Sequence, residues 1–237
     1  MTANKKGGHI MKRIMIVNTS SDVFEGTQVP TGLWLGELVH FYEHFKSDDY
    51  QVDFFNITGG NTPLDPMSLG KAMLDKTTKA YYQNKDFMNK IKYSQPISEA
   101  NAAQYDAIYF TGGHGVMYDF PDNEDAKKAI NEIYKKGGVV SAVCHGIAGL
   151  LNVKNEKGRF LIDQKKITGF SNLEEFLANK MKIVPFKLED ELKVQGARYE
   201  KSYIPFRPKV VIDGQIVTGQ NPQSANLVGA TVKELLS

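Results

Sequence analysis

Four short apolar runs recur along the chain: residues 13–18 (RIMIVN), 51–56 (QVDFFN), 106–111 (DAIYFT) and 138–143 (GVVSAV). Runs of this length, bounded by turn residues, read as strands of a buried sheet rather than as helices. The segments between them carry helical signals. Trp34, Leu38, Phe41, Tyr42 and Phe45 lie at helical spacing, residues 71–92 are rich in Lys, Tyr and Met, and residues 122–136 open on acidic residues and stop at Lys-Lys-Gly-Gly. Strands alternating with helices of this length predict an α/β fold with a mostly parallel central sheet covered on both faces.

Beyond residue 143 the pattern continues as a helix over 145–151, a hairpin around 160–168 and a helix over 172–179. A strand pair follows around 210–218, turning at Asp213-Gly214, and a last helix runs to Leu236 with Asn221 as its cap and Pro222 in its first position. Thr58-Gly59-Gly60-Asn61-Thr62-Pro63 and Asp65-Pro66 mark a long loop expected to rim a site. Neither an internal repeat nor a low-complexity linker is present, so residues 12–237 read as one domain. Residues 1–11, polar and Lys/Gly-containing, read as a flexible extension or cloning remnant outside it.

Charge and composition narrow the function. The 29 basic and 27 acidic residues nearly balance, so no nucleic-acid or membrane partner is expected, and a small soluble substrate fits better. No apolar stretch approaches the roughly 18 to 20 residues that span a bilayer, and no signal-peptide core is evident at the N-terminus, which points to the cytoplasm. The single cysteine excludes an intramolecular disulfide framework and a multi-cysteine zinc site.

That cysteine, Cys144, stands in Ala142-Val143-Cys144-His145-Gly146, where a buried strand passes into the next element. A lone cysteine is commonly a small buried hydrophobe. Here small residues two before and two after it match a nucleophile elbow, at the strand end where open α/β sheets bind ligands. A helix beginning at this point would lower the thiol pKa below its free value of about 8.5, and a protonated His145 would lower it further. Gly112-Gly113-His114-Gly115 ends another strand and faces the same sheet edge. The amides of Gly113 and His145 are therefore candidates for an oxyanion hole, against a plain tight turn, while His114 either binds substrate or is merely exposed.

Glu37 lies beside the apolar stripe of its helix. Held against apolar surface it has a raised pKa suited to acid/base work; otherwise it reaches water at the edge of the face. Glu174 and Glu175 fall in the first turn of a helix, as capping partners or as a group that orients His145. His40 and His44 are four apart but form no H-E-x-x-H motif, so no metal site is expected.

Together TGLWLGELVHFYEHF (31–45), YFTGGHGVMYDFPDN (109–123), AVCHG (142–146), ITGFSNLEE (167–175) and VTGQNPQSA (217–225) resemble the ThiJ/PfpI superfamily. More narrowly, they are similar to its class I glutamine-amidotransferase-like chaperone and glyoxalase III branch. The resemblance spans residues 12–236. It implies a flavodoxin-like three-layer sandwich, usually a homodimer, with Cys144 as nucleophile, His145 beside it, Glu37 at the sulfur, Glu175 as the acidic third member with Glu174 one residue away, and Gly112 and Gly113 opposite the thiol. No histidine follows His145, which argues against the amidotransferase triad. The expected activity is conversion of methylglyoxal to lactate without glutathione, metal or organic cofactor. A holdase chaperone of unfolded chains, a deglycase of glycated proteins and a redox-sensing thiol are the alternatives.

Overall fold

The computed structural model describes residues 11–237. All but Met11 of the expected N-terminal extension therefore lies outside the described residues. In chain order the elements are β1 (Lys12–Asn18), α1 (Leu35–Tyr42), β2 (Tyr50–Asn56), α2 (Lys76–Gln83), α3 (Lys85–Lys92), β3 (Gln95–Pro96), β4 (Ala107–Phe110), α4 (Val116–Asp119), α5 (Glu124–Lys135) and β5 (Val139–Val143). They continue as β6 (Lys166–Ile167), α6 (Asn172–Leu177), α7 (Leu188–Val194), β7 (Arg198–Tyr199), β8 (Val210–Asp213), β9 (Ile216–Gly219) and α8 (Ala225–Leu236). The four apolar runs are the four adjoining strands β2, β1, β4 and β5.

Seven strands form one sheet in the order β3-β2-β1-β4-β5-β9-β8, and only β8 runs antiparallel to its neighbour. Strands buried on both faces need apolar residues at successive positions. Ile14, Met15, Ile16 and Val17 of β1 and every residue of β4 and β5 are buried accordingly. Successive side chains of a strand point to opposite faces. Tyr109 stacks on Phe41 of α1 at 3.6 Å, whereas the next residue, Phe110, meets Phe120 on the other side at 5.3 Å. Helices thus cover both faces, with α1 against α8 on one, in the flavodoxin-like three-layer arrangement.

Two predicted helices change form. The span 71–92 divides into α2 and α3 because Asn84 leaves the helical region and its side chain accepts from the amide of Phe87 at 3.0 Å, just as Asp75 caps α2 through Thr78. A cap that satisfies the orphan amides of a helix start outweighs the weak propensity for one continuous helix. The segment after β5 is not an α-helix but a 3-10 turn over Cys144–Leu150, every residue of it buried. Its first residue sits at φ +57, which no α-helical first turn accommodates. The hairpin expected around 160–168 is instead an antiparallel bridge between Lys154 and Phe160, and Lys166–Ile167 pairs in parallel with Arg198–Tyr199. The β8–β9 pair turns at Gly214, and a short 3-10 turn over Pro222–Ser224 leads into α8. Among the described residues no helix is long and apolar enough to cross a membrane.

Candidate active site

The carboxyl ends of β4 and β5 lie side by side, with Phe110 paired to Ala142. The chain leaves β5 through Cys144 at φ +57, a left-handed conformation that costs a non-glycine residue energy and aims its side chain out of the sheet edge. The turn closes because position 146 has no Cβ: one there would lie 2.5 Å from the carbonyl oxygens of both Phe110 and Thr111. The small-x-Cys-x-Gly frame thus has a steric cause in the neighbouring strand.

Cys144 is 3% exposed, and its Sγ lies 3.4 Å from His145 Nδ1. The other ring nitrogen, Nε2, is 2.7 Å from Glu175 Oε2, at the start of α6. Sulfur, imidazole and carboxylate therefore form a continuous relay. The adjacent Glu174 does other work. It accepts from Ser171 in a capping box and from Gln220, Asn221 and the amide of Phe206. The ambiguity between these neighbouring acids is resolved by direction: consecutive helical residues point about 100° apart, and only Glu175 meets the histidine.

Glu37 approaches the thiol from α1 and is fully buried. Its Oε2 accepts from the amide of Gly112 at 2.7 Å, Oε1 has no hydrogen-bond partner among the described residues, and the carboxyl stands close enough to the Cys144 thiol for each to shift the proton affinity of the other. Tyr109 donates to the Glu37 carbonyl at 3.0 Å and ties that point of α1 to β4. Burial raises the Glu37 pKa to about 8, against the opposing pull of the thiol and the Gly112 amide. At neutral pH Glu37 is therefore mostly protonated, as expected for a carboxyl held against apolar surface.

Cys144 departs from expectation. Its pKa is raised, first by burial and then by the Glu37 charge, with only the His145 amide acting in the opposite direction. The 3-10 turn presents no long helix dipole, and desolvation of a sulfur this buried outweighs a single amide. Thiolate formation would accordingly need a proton acceptor and a neutral Glu37, and the nitrogen within reach of the sulfur is His145 Nδ1 at 3.4 Å.

Gly112 and Gly113 line the side opposite the thiol. Gly112 spends its amide on Glu37, and a Cβ there would fall 2.4 Å from Glu37 Oε2 and 3.0 Å from Cys144 Cβ. Gly113 follows at φ +101. His114 is buried rather than exposed, and its Nε2 lies 2.8 Å from Glu175 Oε1. One ring nitrogen each of His114 and His145 and a carboxylate oxygen of Glu175 fall within 4.8 Å of one another, a set that would suit a metal ion, although the two hydrogen bonds already account for the arrangement. His40 pairs with Asp75 at 2.7 Å and His44 packs against Gly229, so these two share no common ligand position.

Asp65 escaped the sequence reading as a site residue. The long loop does reach this region: Leu33 bridges Leu64, and Asp65 accepts from Thr31 and from the amide of Met67. Its charge acts on Glu37, and its own pKa is raised by burial and eased by His145. The Asp-Pro pair was a turn signal only, and nothing local to it announces a glutamate 28 positions earlier in the sequence.

A strained cysteine at the end of a central parallel strand, backed by a histidine–carboxylate pair and faced by a buried glutamate from the first helix, defines a thiol site of an α/β sandwich. The chain belongs to the DJ-1/PfpI family, whose model matches residues 36–234. It is 34% identical over 223 residues to a glutathione-independent glyoxalase of Saccharomyces cerevisiae, covering 91% of this chain and 94% of the yeast protein. The crystal structure of glyoxalase III from Candida albicans superposes with a TM-score of 0.89 at 31% identity, covering 95% of this chain and 98% of that one. Rapid Encystment Protein 24 KDa of Francisella tularensis superposes with a TM-score of 0.92 at 39% identity, over 96% and 100% of the two chains.

Proposed function

We propose that this protein is a glutathione-independent glyoxalase that converts methylglyoxal and related 2-oxoaldehydes to 2-hydroxy acids, with Cys144 as its nucleophile. The single observation that carries the reading is the contact of one buried thiol with both a histidine–glutamate relay and a carboxyl that is protonated at neutral pH. Relatives of the same length named as glyoxalases support it.

The chemistry is an internal redox isomerisation followed by hydrolysis, and the site's own groups balance it. Cys144 gives its proton to His145, the sulfur adds to the aldehyde carbon C1, and Glu37 donates its proton to the new oxyanion, leaving a hemithioacetal. The amides of Gly113 and His145 are the donors assigned to that oxyanion as it develops. Glu37, now a carboxylate, removes the hydrogen on C1. His145 protonates the C2 oxygen to give an enediol.

Glu37 then returns the proton to C2 while His145 takes the proton of the C1 hydroxyl, so C1 is oxidised to a thioester and C2 reduced to an alcohol. Water adds to the thioester carbon with its proton passing to Glu37. The sulfur leaves and is reprotonated by His145, which restores the starting state and frees the hydroxy acid. The cycle consumes one water and calls for no external oxidant or cofactor.

Purified protein without glutathione is expected to consume methylglyoxal and release lactate, and Cys144→Ala to abolish this. Turnover that survives the substitution would remove the mechanism. The cytoplasm and a homodimer complete the proposal.

A second reading as a holdase chaperone is favoured by one observation. Leu173, Phe176 and Leu177 of α6, together with Tyr203 and Ile204, expose large apolar side chains. Patches of this kind bind other apolar chains. Suppression of client aggregation by Cys144→Ala protein would support it independently of the enzyme.

A further inference from the structure

Glu175 serves two histidines. His145 occupies Oε2 at 2.7 Å and His114 occupies Oε1 at 2.8 Å, so each carboxylate oxygen has its own imidazole. His114 also packs against Phe24, at 5.3 Å, and the His145 ring, at 4.1 Å, while Phe170 lies beside both imidazoles, 4.4 Å from His145 and 6.3 Å from His114. The imidazole is thus packed among rings, and among the described residues its Nε2 has the Glu175 carboxylate as its hydrogen-bond partner. A carboxylate accepts and does not donate, so the proton of this hydrogen bond belongs to His114.

Burial, and next the neighbouring His145, lower the His114 pKa to about 4, so at neutral pH it is an uncharged donor. Burial alone would raise Glu175. Its pairing with His145, reinforced by the hydrogen bond from His114, holds it well below the usual carboxylate range. The other titratable groups around this cluster are Cys144, Glu37 on α1, Asp65 in the long loop, Tyr118 on α4, Glu174 on α6 and Lys180 beyond α6.

The torsion that turns a carboxylate about its last bond is soft. One donor leaves that plane free to rotate, whereas donors on both oxygens fix it. We infer that His114 is a positioning residue: by donating Nε2–H to one oxygen of Glu175, it fixes the carboxylate so that the other oxygen holds His145 with Nδ1 directed at the Cys144 sulfur. This rests on the glyoxalase reading for its effect on turnover, but not for its effect on the thiol.

Two substitutions separate donor from ring. His114→Gln keeps a side-chain N–H donor, and His114→Phe keeps a ring against Phe24 and His145 without one. Because the chain has a single cysteine, iodoacetamide alkylation reads Cys144 alone and needs no substrate. In His114→Phe the alkylation rate at neutral pH and kcat for methylglyoxal are both expected to fall about 10- to 100-fold, the usual cost of losing an orienting bond behind a functional histidine. KM should stay within about twofold, and His114→Gln should recover most of both rates.

A rise in KM at constant kcat would instead make His114 a substrate contact and overturn the inference. So would an alkylation rate unchanged in His114→Phe, or a His114→Gln protein as slow as His114→Phe with the melting temperature of the unsubstituted chain. Proton NMR of the unsubstituted protein covers the case in which a variant fails to fold: two strongly downfield imidazole N–H signals are expected, and a single one would refute the paired arrangement. If no aldehyde is turned over at all, the glyoxalase reading falls while the alkylation and NMR outcomes still decide the role of His114.

Discussion

Glu37 and Gly112 stand 75 positions apart, yet one hydrogen bond of 2.7 Å between them sets the face of the site opposite the histidine relay. A methyl group at position 112 would meet Glu37 Oε2 at 2.4 Å, so either the carboxyl or Cys144 must move. Gly112→Ala is expected to lower kcat/KM for methylglyoxal at least about 100-fold, as misplacement by about an ångström does, and to cost about 1–3 kcal/mol of stability from overpacking. Steady-state kinetics beside urea unfolding would check both, and a fully active variant would contradict the close approach. At this scale the sequence was informative about residue types: a cysteine between small neighbours, two glycines at a strand end, a glutamate on an apolar stripe. It misjudged the proton affinity of Cys144, because a pKa depends on burial and on charges brought in from elsewhere, and neither is written in the local pentapeptide.

At the scale of the element, α6 places two adjacent glutamates in separate tasks. Glu174 is buried and accepts from Ser171, Gln220, Asn221 and the amide of Phe206, which ties the helix start to the loop after β7 and to the segment after β9. Glu174→Ala would leave several buried donors without a partner, and is expected to destabilise the protein by about 3–5 kcal/mol, measured by denaturant unfolding. Glu175→Gln, by contrast, is expected to lose most of the methylglyoxal turnover while keeping a melting temperature near that of the unsubstituted chain. Equal stability losses in the two variants would dissolve the distinction. The capping pattern was visible in the sequence, but both acids satisfied its spacing, and only the helix orientation against His145 separates them. The division of 71–92 at Asn84 belongs to the same class of miss. Asn is compatible with a helix interior or with a cap, and the caps that form depend on how α2 and α3 pack.

For the whole molecule, the buried acids make stability depend on pH with a definite sign. Glu37 titrates at about 8 in the folded chain against about 4.3 in an unfolded one, so the folded state holds the extra proton between these values. Its contribution is complete below the unfolded value and is lost as pH rises through about 8. Asp119, raised to about 6 by burial, acts in the same direction at lower pH, whereas His114, lowered to about 4, opposes it below about 6.5. Between pH about 6.5 and 8 Glu37 is therefore the dominant one of these three groups. Unsubstituted protein should lose melting temperature across that window, and Glu37→Gln should flatten the loss and melt higher at pH 8.5 while losing glyoxalase turnover. Parallel curves for the two proteins would refute the buried, protonated carboxyl.

The sequence by itself determined the parallel sheet and its helical cover, because apolar runs with no solvent face and helices of matching length admit few other packings. It also marked Cys144 and the glycine loop, since a tight turn at a strand end leaves a local steric signature. Only the tertiary structure decided that the segment after Cys144 is a buried 3-10 turn, that Glu175 rather than Glu174 meets His145, that Asp65 adds its charge beside Glu37, and that His114 shares the Glu175 carboxylate. The physical reason is common to all four. Each is fixed by contacts between residues far apart in the chain, whose side-chain directions and desolvation exist only after the elements have packed.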